Sequence, residues 1–275
     1  MQVRILTLAA LTVGMLMFAS SSSAVLLVHY DMNGDAVNQA NPGTYDGAVV
    51  NDTVFTGAGP SVYAGTAAVF DGTNDGISIG DVNELDSLST LTVAMWFRRD
   101  LDNAGAANDT NHAVNNVLFA NSGQTGNDNV EIGTEGNIIE VYLDTGGGGS
   151  DATRFFDATA LGGIRDGVWY HLAVTFDAAA NPEGSVYLNG ELVGQNGQWN
   201  GADLDNATDV PASLGIARLD RGDPWGDFNG AIDEFRLYTN ALSQSEVRAL
   251  VPEPATAVLG MIGVAGLAMR RRRLD

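Results

Sequence analysis

The chain is divided into many short runs of apolar and β-branched residues, and each run is bounded by glycine, asparagine or aspartate. These runs cover residues 25–30, 67–70, 76–79, 91–97, 117–120, 137–143, 168–176, 185–188, 191–194, 213–218 and 230–238. Runs of this length between turn-forming residues predict β-strands. In the run 168–176, every second position is apolar, as a half-buried strand requires. Many short strands with almost no helix predict an all-β fold, a two-sheet antiparallel sandwich.

Two local motifs add detail to this prediction. Asn189-Gly190 lies between two of the runs and supplies two residues that tolerate positive φ, so it predicts a two-residue hairpin turn. Ser243, with Glu246 three residues later, forms a capping-box pattern followed by Val247 and Leu250. We expect a short helix there that ends before Pro252.

The order of several sequence blocks resembles the laminin G-like, concanavalin A-like jelly roll. The blocks are FDGTNDGISI at 70–79, LTVAMWF at 91–97, WYHLAVTF at 169–176, VYLNGELV at 186–193, LGI at 214–216, FNGAIDEFRLY at 228–238 and ALS at 241–243. The resemblance covers nearly all of residues 25–250 and implies one sandwich domain over that range. It also implies a function among lectins, glycoside hydrolases, polysaccharide lyases or surface-binding modules.

Charge restricts the partners of this domain. All 13 basic residues are arginines, and five of them lie in the terminal segments, together with two of the 34 acidic residues. The domain between the terminal segments therefore carries a net charge of about −24. Such a surface repels nucleic acid, so no nucleic-acid partner is expected. The chain has no cysteine. An exported fold without disulfides needs another means of stabilisation, and acidic loops favour a structural Ca²⁺ ion.

The first 24 residues are typical of a signal peptide. Arg4 gives a positive start, residues 5–18 are apolar, and Ser22-Ser23-Ala24 is a small-residue cleavage site. The mature chain is therefore expected to begin near Val25. We expect a helical signal segment at this end and export of the rest.

Residues 251–275 resemble the PEP-CTERM sorting signal. Its motif is Pro252-Glu253-Pro254, its apolar segment is 255–269, and its basic end consists of Arg270, Arg271, Arg272 and Arg273. The resemblance implies a C-terminal hydrophobic helix, transient anchoring in the inner membrane, cleavage by an exosortase-type protease and a final location at the cell surface. The alternative is a plain anchor, although fifteen helical residues span about 22 Å, short of the roughly 30 Å hydrocarbon core.

Most aromatic and histidine residues fit structural roles. Trp96, Trp169, Phe97 and Phe176 fall within strand patterns, which predicts core or half-core positions. His171 lies in the middle of a strand, where a hydrogen-bonded structural histidine is expected rather than a catalytic base. No paired histidines or cysteines stand at the spacing of a zinc site.

No catalytic constellation is evident in the sequence. Retaining glycoside hydrolysis needs two carboxyl groups roughly 5 Å apart. Asp233 and Glu234 are adjacent, so a regular strand would direct them to opposite faces. Glu131, Glu135 and Glu140 lie close together, but glycines interrupt that segment and no aspartate has the required spacing. The domain is therefore predicted to be noncatalytic, with no catalytic residue assigned.

Two places could hold calcium through hard oxygen ligands. Asp31 ends the first predicted strand and Asp233 lies in the last one, and sandwiches of this kind often bring these strands together. By resemblance to the pentraxin-like branch of the fold, Asp128 and Asn129 could instead supply ligands at the rim. In both places the alternative is an acidic loop that is only solvated.

Sugar recognition requires exposed aromatic rings. Trp225 lies in a polar loop and is the first candidate, and Trp199, between Gln198 and Asn200, is the second. These features predict an exported cell-surface module that binds carbohydrate, exopolysaccharide or another matrix component. A polysaccharide-active hydrolase or lyase and a purely structural surface protein are the alternatives.

Overall fold

The computed structural model describes residues 24–102, 114–122, 128–146, 152–199, 201–205, 209–216 and 227–252. The predicted signal helix and the C-terminal hydrophobic segment lie outside these residues. Within the described residues, no helix combines the length and apolar character needed to cross a membrane.

Fifteen strands and one α-helix are found in the described part of the chain. They are β1 (Leu26–Tyr30), β2 (Ala48–Val50), β3 (Val54–Thr56), β4 (Ala67–Asp71), β5 (Gly76–Asp81), β6 (Thr90–Arg99), β7 (Phe119–Ser122), β8 (Asp128–Glu135), β9 (Ile138–Leu143), β10 (Ala152–Asp157), β11 (Trp169–Asp177), β12 (Gly184–Leu188), β13 (Glu191–Asn196), β14 (Pro211–Leu214), β15 (Asn229–Tyr238) and α1 (Gln244–Ala249). Two short 3-10 helices, Asn83–Leu85 and Ala158–Leu161, complete the set. The predicted all-β class is confirmed.

The strands form two antiparallel sheets that pack as a sandwich. The eight-stranded sheet has the order β13-β12-β11-β6-β15-β4-β3, with β1 also paired to β15. The seven-stranded sheet has the order β10-β9-β8-β7-β14-β5-β2. Strand β15 pairs with β6 along one edge and with β4 and then β1 along the other. The first and last strands are therefore neighbours, as predicted.

The alternation read from the sequence explains which side chains fill the core. In β11, Tyr170, Leu172, Val174 and Phe176 point between the sheets and join the main hydrophobic cluster. The side chains between them, His171 among them, lie on the outer face of the eight-stranded sheet. Burial of each large apolar side chain contributes about 1.5–3 kcal/mol.

Both local motifs predicted from the sequence are present. Asn189 and Gly190 have φ of 52° and 79° and join β12 to β13. The capping box of Ser243 and Glu246 begins α1. This helix packs Val247 against Ala94, Ala173, Tyr187 and Tyr238, on the outer face of the eight-stranded sheet. One end of that face is covered by the helix, and the other end holds the candidate site.

Candidate functional site

A groove lies on the outer face of the eight-stranded sheet, beyond the end of α1. Its floor comes from β6 and β11, where Arg98 and Trp169 are direct cross-strand partners. Trp96 precedes Arg98 by two residues and therefore lies on the same face. Met95 and Phe97, the intervening residues, are in the core cluster. The wall is the loop before β4, and the groove has a volume of about 550 Å³, lined by Ala58, Gly59, Pro60, Ser61, Val62, Trp96, Arg98, Gly167, Val168 and Trp169.

The loop is held against the sheet by close packing. The backbone N–H of Tyr63 donates to the carbonyl of Pro60 at 2.9 Å, which closes a turn. The ring of Tyr63 meets Trp96 edge-on, with 6.4 Å between centroids. A Cβ on Gly59 would overlap Oδ2 of Asp233, so a larger residue there would have to displace this buried carboxyl group or the loop.

The open part of the groove floor combines an aromatic ring with a neutralised cation. The guanidinium of Arg98 lies over the Trp169 ring, 5.3 Å from its centroid. The same guanidinium donates from Nε and Nη2 to the two carboxylate oxygens of Asp100, at 2.7 and 2.8 Å. The groove therefore offers flat stacking surfaces and hydrogen-bonding edges without a net positive charge.

A row of buried polar side chains continues from the groove floor beneath the loop. Asp233, Trp96 and His171 occupy directly paired positions on β15, β6 and β11. Trp96 is 6% exposed and His171 is fully buried. Within the described part of the chain, neither ring nitrogen of His171 has a hydrogen-bond partner on the protein. The buried structural position expected for His171 is confirmed, and its expected hydrogen bond stays a prediction.

Burial also determines the charge of His171. Desolvation, followed by the nearby positive charge of Arg236, lowers the pKa of His171 to about 3. The imidazole is therefore neutral at physiological pH. It packs edge-on against Trp96, with ring centroids 5.6 Å apart.

A β-bulge in β15 changes the predicted direction of one carboxyl group. The pairing with β6 shifts between Asp233 and Arg236, and Glu234 has a φ of 51°. Ile232 and Phe235 both enter the core, so the two residues between them both lie on the outer face. The prediction that Asp233 and Glu234 point to opposite faces is wrong, because it assumed a regular strand.

The two carboxyl groups nevertheless have different surroundings. Glu234 contacts Nε2 of His29 at 2.9 Å and forms a hydrogen-bonded ion pair with Arg236. Asp233 accepts a hydrogen bond of 2.8 Å from the backbone N–H of Glu234. Burial, followed by the negative charges of Glu234 and Asp31, raises the pKa of Asp233 to about 7.

The structure brings Asp31 and Asp233 together at the junction of β1 and β15. Asp31 directly follows Tyr30, which pairs with Phe235. Asp233 lies near the negative charges of Asp31 and Glu234, and Arg236 forms an ion pair with Glu234. Aspartate carboxyl groups are hard oxygen donors of the kind that Ca²⁺ takes; Asp233 is buried and Asp31 is half-buried. Over the described residues, no group of three or more histidine, cysteine, aspartate or glutamate side chains is arranged to hold a metal, so backbone carbonyls would have to complete the shell.

The remaining predicted residues fall in other places. Trp199 is 1% exposed and packs edge-on against Phe176, so the expectation that its ring is open to a ligand is wrong. Trp225 and the side chain of Asp128 lie outside the described residues. Asn129 is fully buried, and its Nδ2 donates to the carbonyl of Leu85 at 3.2 Å. The rim calcium site stays a prediction.

Sequence reasoning missed the residues that form the groove. It placed Trp96 and Trp169 with the core aromatics because both fall in apolar strand patterns. The signal that could have separated them is strand parity: in β6, Trp96 and Arg98 alternate with Met95 and Phe97. Strand parity could not assign the loop that forms the wall to the groove, because residues 58–62 are far from β6 in sequence.

The fold and the groove together define a β-sandwich of the lectin type. The chain belongs to the Laminin_G_3 family of the concanavalin A-like lectin/glucanases superfamily, whose family model matches residues 71–248. No curated protein sequence matches the chain.

Solved structures show the same fold. Domain 4 of AbnA, an extracellular arabinanase of glycoside hydrolase family GH43 from Geobacillus stearothermophilus solved with arabinotriose, is 23% identical, with a TM-score of 0.57; the match covers 83% of this chain and 99% of that one. The binding domain of Paraclostridial Mosquitocidal Protein 1 is 15% identical, with a TM-score of 0.59 and coverages of 82% and 52%. The receptor-binding domain of botulinum neurotoxin D is 16% identical, with a TM-score of 0.57 and coverages of 82% and 52%. The chain thus spans about half of each toxin domain.

Proposed function

We propose that this protein is an exported, noncatalytic module that binds carbohydrate in the groove of Trp96, Arg98 and Trp169. The observation that carries the proposal is the stacked Arg98–Trp169 pair beside an open groove of about 550 Å³. That volume lies within the roughly 300–1,000 Å³ of small-molecule sites. Apolar faces of sugar rings would stack on the aromatic surface, and their hydroxyl groups would meet polar edges.

The charge pattern favours a neutral glycan. Arg98 is already paired with Asp100 through both carboxylate oxygens. The domain carries a net charge of about −24 between its terminal segments. A polyanion would be repelled by this negative charge, and the residues described in the groove include no unpaired cation that would attract it.

A binding role is favoured over catalysis by the lining of the groove. None of the residues that line it in the described structure carries a carboxyl group. Asp233 and Glu234 lie on the same face, but Glu234 is engaged by His29 and Arg236. The structurally similar proteins also support a binding role, since the arabinanase domain was solved with arabinotriose and the toxin domains are binding domains.

The two ends of the chain support the proposed location. The signal-like residues 1–24 support export, and residues 251–275 support transient anchoring in the inner membrane and release by an exosortase-type protease. The partner outside the membrane would be an extracellular polysaccharide or another matrix component. Retention of the tail as a plain anchor would leave the domain on the same side of the membrane.

We also propose that a structural Ca²⁺ ion binds Asp31 and Asp233. The ion would supply positive charge where two carboxyl groups meet, and it would tie the first strand to the last. Asp233, Asp31 and the backbone of the loop at Gly59 would hold it. This ion would stabilise the fold and would not take part in binding chemistry.

Titration of the full-length protein in detergent with neutral oligosaccharides, including arabinotriose, tests the proposal. Trp169→Ala should weaken binding at least about tenfold, because it removes the half-buried aromatic ring of the stacked pair. Phe155→Ala is the matched control, since Phe155 is 65% exposed but belongs to β10 of the other sheet. Trp225→Ala tests the predicted loop tryptophan in parallel.

The outcomes separate the possible functions. Saturable binding that Trp169→Ala removes and Phe155→Ala leaves intact supports the groove. The opposite pattern would move the site to the seven-stranded sheet and overturn the proposal. Shortening of a polysaccharide during the titration would show an enzyme, and binding to none of the glycans would favour a purely structural surface protein.

A further inference from the structure

A second pocket lies at the end of the eight-stranded sheet away from the groove, where β6 begins and β11 ends. It has a volume of about 300 Å³. Thr90 of β6, Asp177 of β11 and Glu246 of α1 line it, together with Ala24 and residues 240–242. The charged groups among these lining residues are two carboxylates, and no arginine or histidine is among them. The pocket therefore favours a cationic group.

The backbone of Val25 is fixed at this pocket. Its N–H donates to Oδ1 of Asn240, one of the lining residues, at 2.8 Å. Its carbonyl accepts from the backbone N–H of Thr239 at 3.1 Å. The next residue, Leu26, begins β1 and pairs with Tyr238 of β15. Pairing of the first strand with the last therefore holds the Val25 nitrogen beside the pocket.

The charge of this nitrogen depends on the bond that precedes it. The predicted signal-peptide cleavage site lies between Ala24 and Val25. In the uncut chain the Val25 nitrogen is a neutral amide with one hydrogen to donate. Hydrolysis consumes one water molecule, leaves a carboxylate on Ala24 and gives Val25 an ammonium group with three N–H donors. The same cut removes Ala24, which lines the pocket, and so makes room beside the new charge.

Both carboxylates are held in place around the pocket. The backbone N–H and the hydroxyl of Ser243 donate to Glu246 at 2.7 and 2.6 Å, and these hydrogen bonds lower the pKa of Glu246. Asp177 accepts from the backbone N–H of Ala179 at 2.9 Å. A compact pocket of this volume is about 8 Å across, which is close to the Debye length at physiological salt. Dissolved ions therefore screen an ammonium group from these carboxylates only in part.

We propose that this pocket binds the α-ammonium group of Val25 in the processed chain, through Oδ1 of Asn240 and the carboxylates of Asp177 and Glu246. The bound ammonium group ties the start of β1 to the end of β11 and to α1. Removal of the signal segment thereby adds a contact that the uncut chain lacks. The inference rests on the export proposed above and is independent of glycan binding.

Amine labelling tests the site, because the sequence contains no lysine and the α-amine is therefore its one primary amine. The chain of residues 25–275 is compared in detergent with the chain of residues 24–275, in which the amine belongs to Ala24. The labelling rate as a function of pH gives the pKa of each amine, since the neutral form is the one that reacts. Asp177→Asn removes a charge and keeps the acceptor for Ala179. Asp203→Asn is the matched control, at an exposed aspartate that does not line the pocket.

We expect the pKa of the Val25 amine to lie at least about 0.5 above that of the Ala24 amine, because the carboxylates favour the charged form. Near neutral pH the Val25 amine should then be labelled about threefold more slowly. Asp177→Asn should remove most of this difference, and Asp203→Asn should leave it intact. Equal pKa values in the two chains would overturn the proposal, and this comparison keeps the wild-type pocket. An unchanged difference in Asp177→Asn that is folded by circular dichroism would also overturn it.

Mass spectrometry of the exported protein separates this inference from the proposed function. A mature chain that begins at Val25 supports the site. Retention of residues 1–24, or a start at another residue, would overturn the inference together with the predicted processing. Absence of glycan binding in a protein that begins at Val25 and has the raised amine pKa would leave the ammonium site in place and sink the glycan proposal alone.

Discussion

The carboxyl group of Asp233 offers the sharpest test of the electrostatics of this fold. Its pKa is raised to about 7, against about 3.9 for an aspartate in an unfolded chain. Between these two values the folded state binds more protons than the unfolded state, so stability falls as pH rises. Three pH units at about 1.36 kcal/mol each would give about 4 kcal/mol at pH 8. Solvent screening reduces this to about 2 kcal/mol.

Asp233→Asn removes the charge and keeps the acceptor for the backbone N–H of Glu234. With a chelator present, the variant should be more stable than the wild type by about 2 kcal/mol at pH 8, and the gain should vanish near pH 4. Urea denaturation followed by tryptophan fluorescence gives the free energy of unfolding at each pH. Asp203→Asn, at an exposed aspartate, is the control and should change little.

Calcium should reverse the sign of this difference. An ion at one hundred times its Kd adds about 2.7 kcal/mol to the stability of the folded wild type. The asparagine variant lacks one carboxylate ligand and should lose most of that gain. A variant less stable than the wild type in chelator at pH 8 would refute the burial argument. Equal stabilisation of both proteins by calcium would place the ion away from Asp233.

Two further predictions concern packing. Trp199→Ala should cost about 3–5 kcal/mol in unfolding free energy, because Trp199 is a fully buried core residue, while glycan affinity of the folded protein should stay unchanged. A loss of binding without a loss of stability would restore Trp199 as a ligand contact. Gly59→Ala should cost about 1–3 kcal/mol and weaken glycan binding, because its Cβ would overlap Asp233 and displace the loop. Ser61→Ala in the same loop is the control for calorimetric melting, and equal melting temperatures for the two variants would contradict the overlap.

Local sequence patterns predicted the fold well because they act over short distances. The alternation in 168–176 predicted which face of β11 enters the core, and Tyr170, Leu172 and Phe176 lie there. The Asn189-Gly190 turn and the capping box of Ser243 are also confirmed. In each case, steric preference and hydrogen bonding within a few residues fix the conformation.

Strand parity failed where the strand is irregular. The bulge at Glu234 places two successive carboxyl groups on one face, and no pattern in the residues 231–236 marks it. The prediction for Trp199 failed because exposure depends on contacts with distant residues. Its polar neighbours in sequence suggested exposure, but its indole packs against Phe176 from β11 and lies under Arg154 from β10.

The sequence alone therefore determined the all-β class, the sandwich, the hairpin turn, the terminal helix and the neighbouring positions expected for the first and last strands. Only the tertiary structure decided where the groove lies, because its floor comes from β6 and β11 and its wall from residues 58–62. The tertiary structure also determines the raised pKa of Asp233, because this pKa depends on burial and on the charges of Asp31 and Glu234. Contacts between distant segments and the removal of water from a carboxyl group are properties of the assembled sandwich and have no counterpart in local sequence.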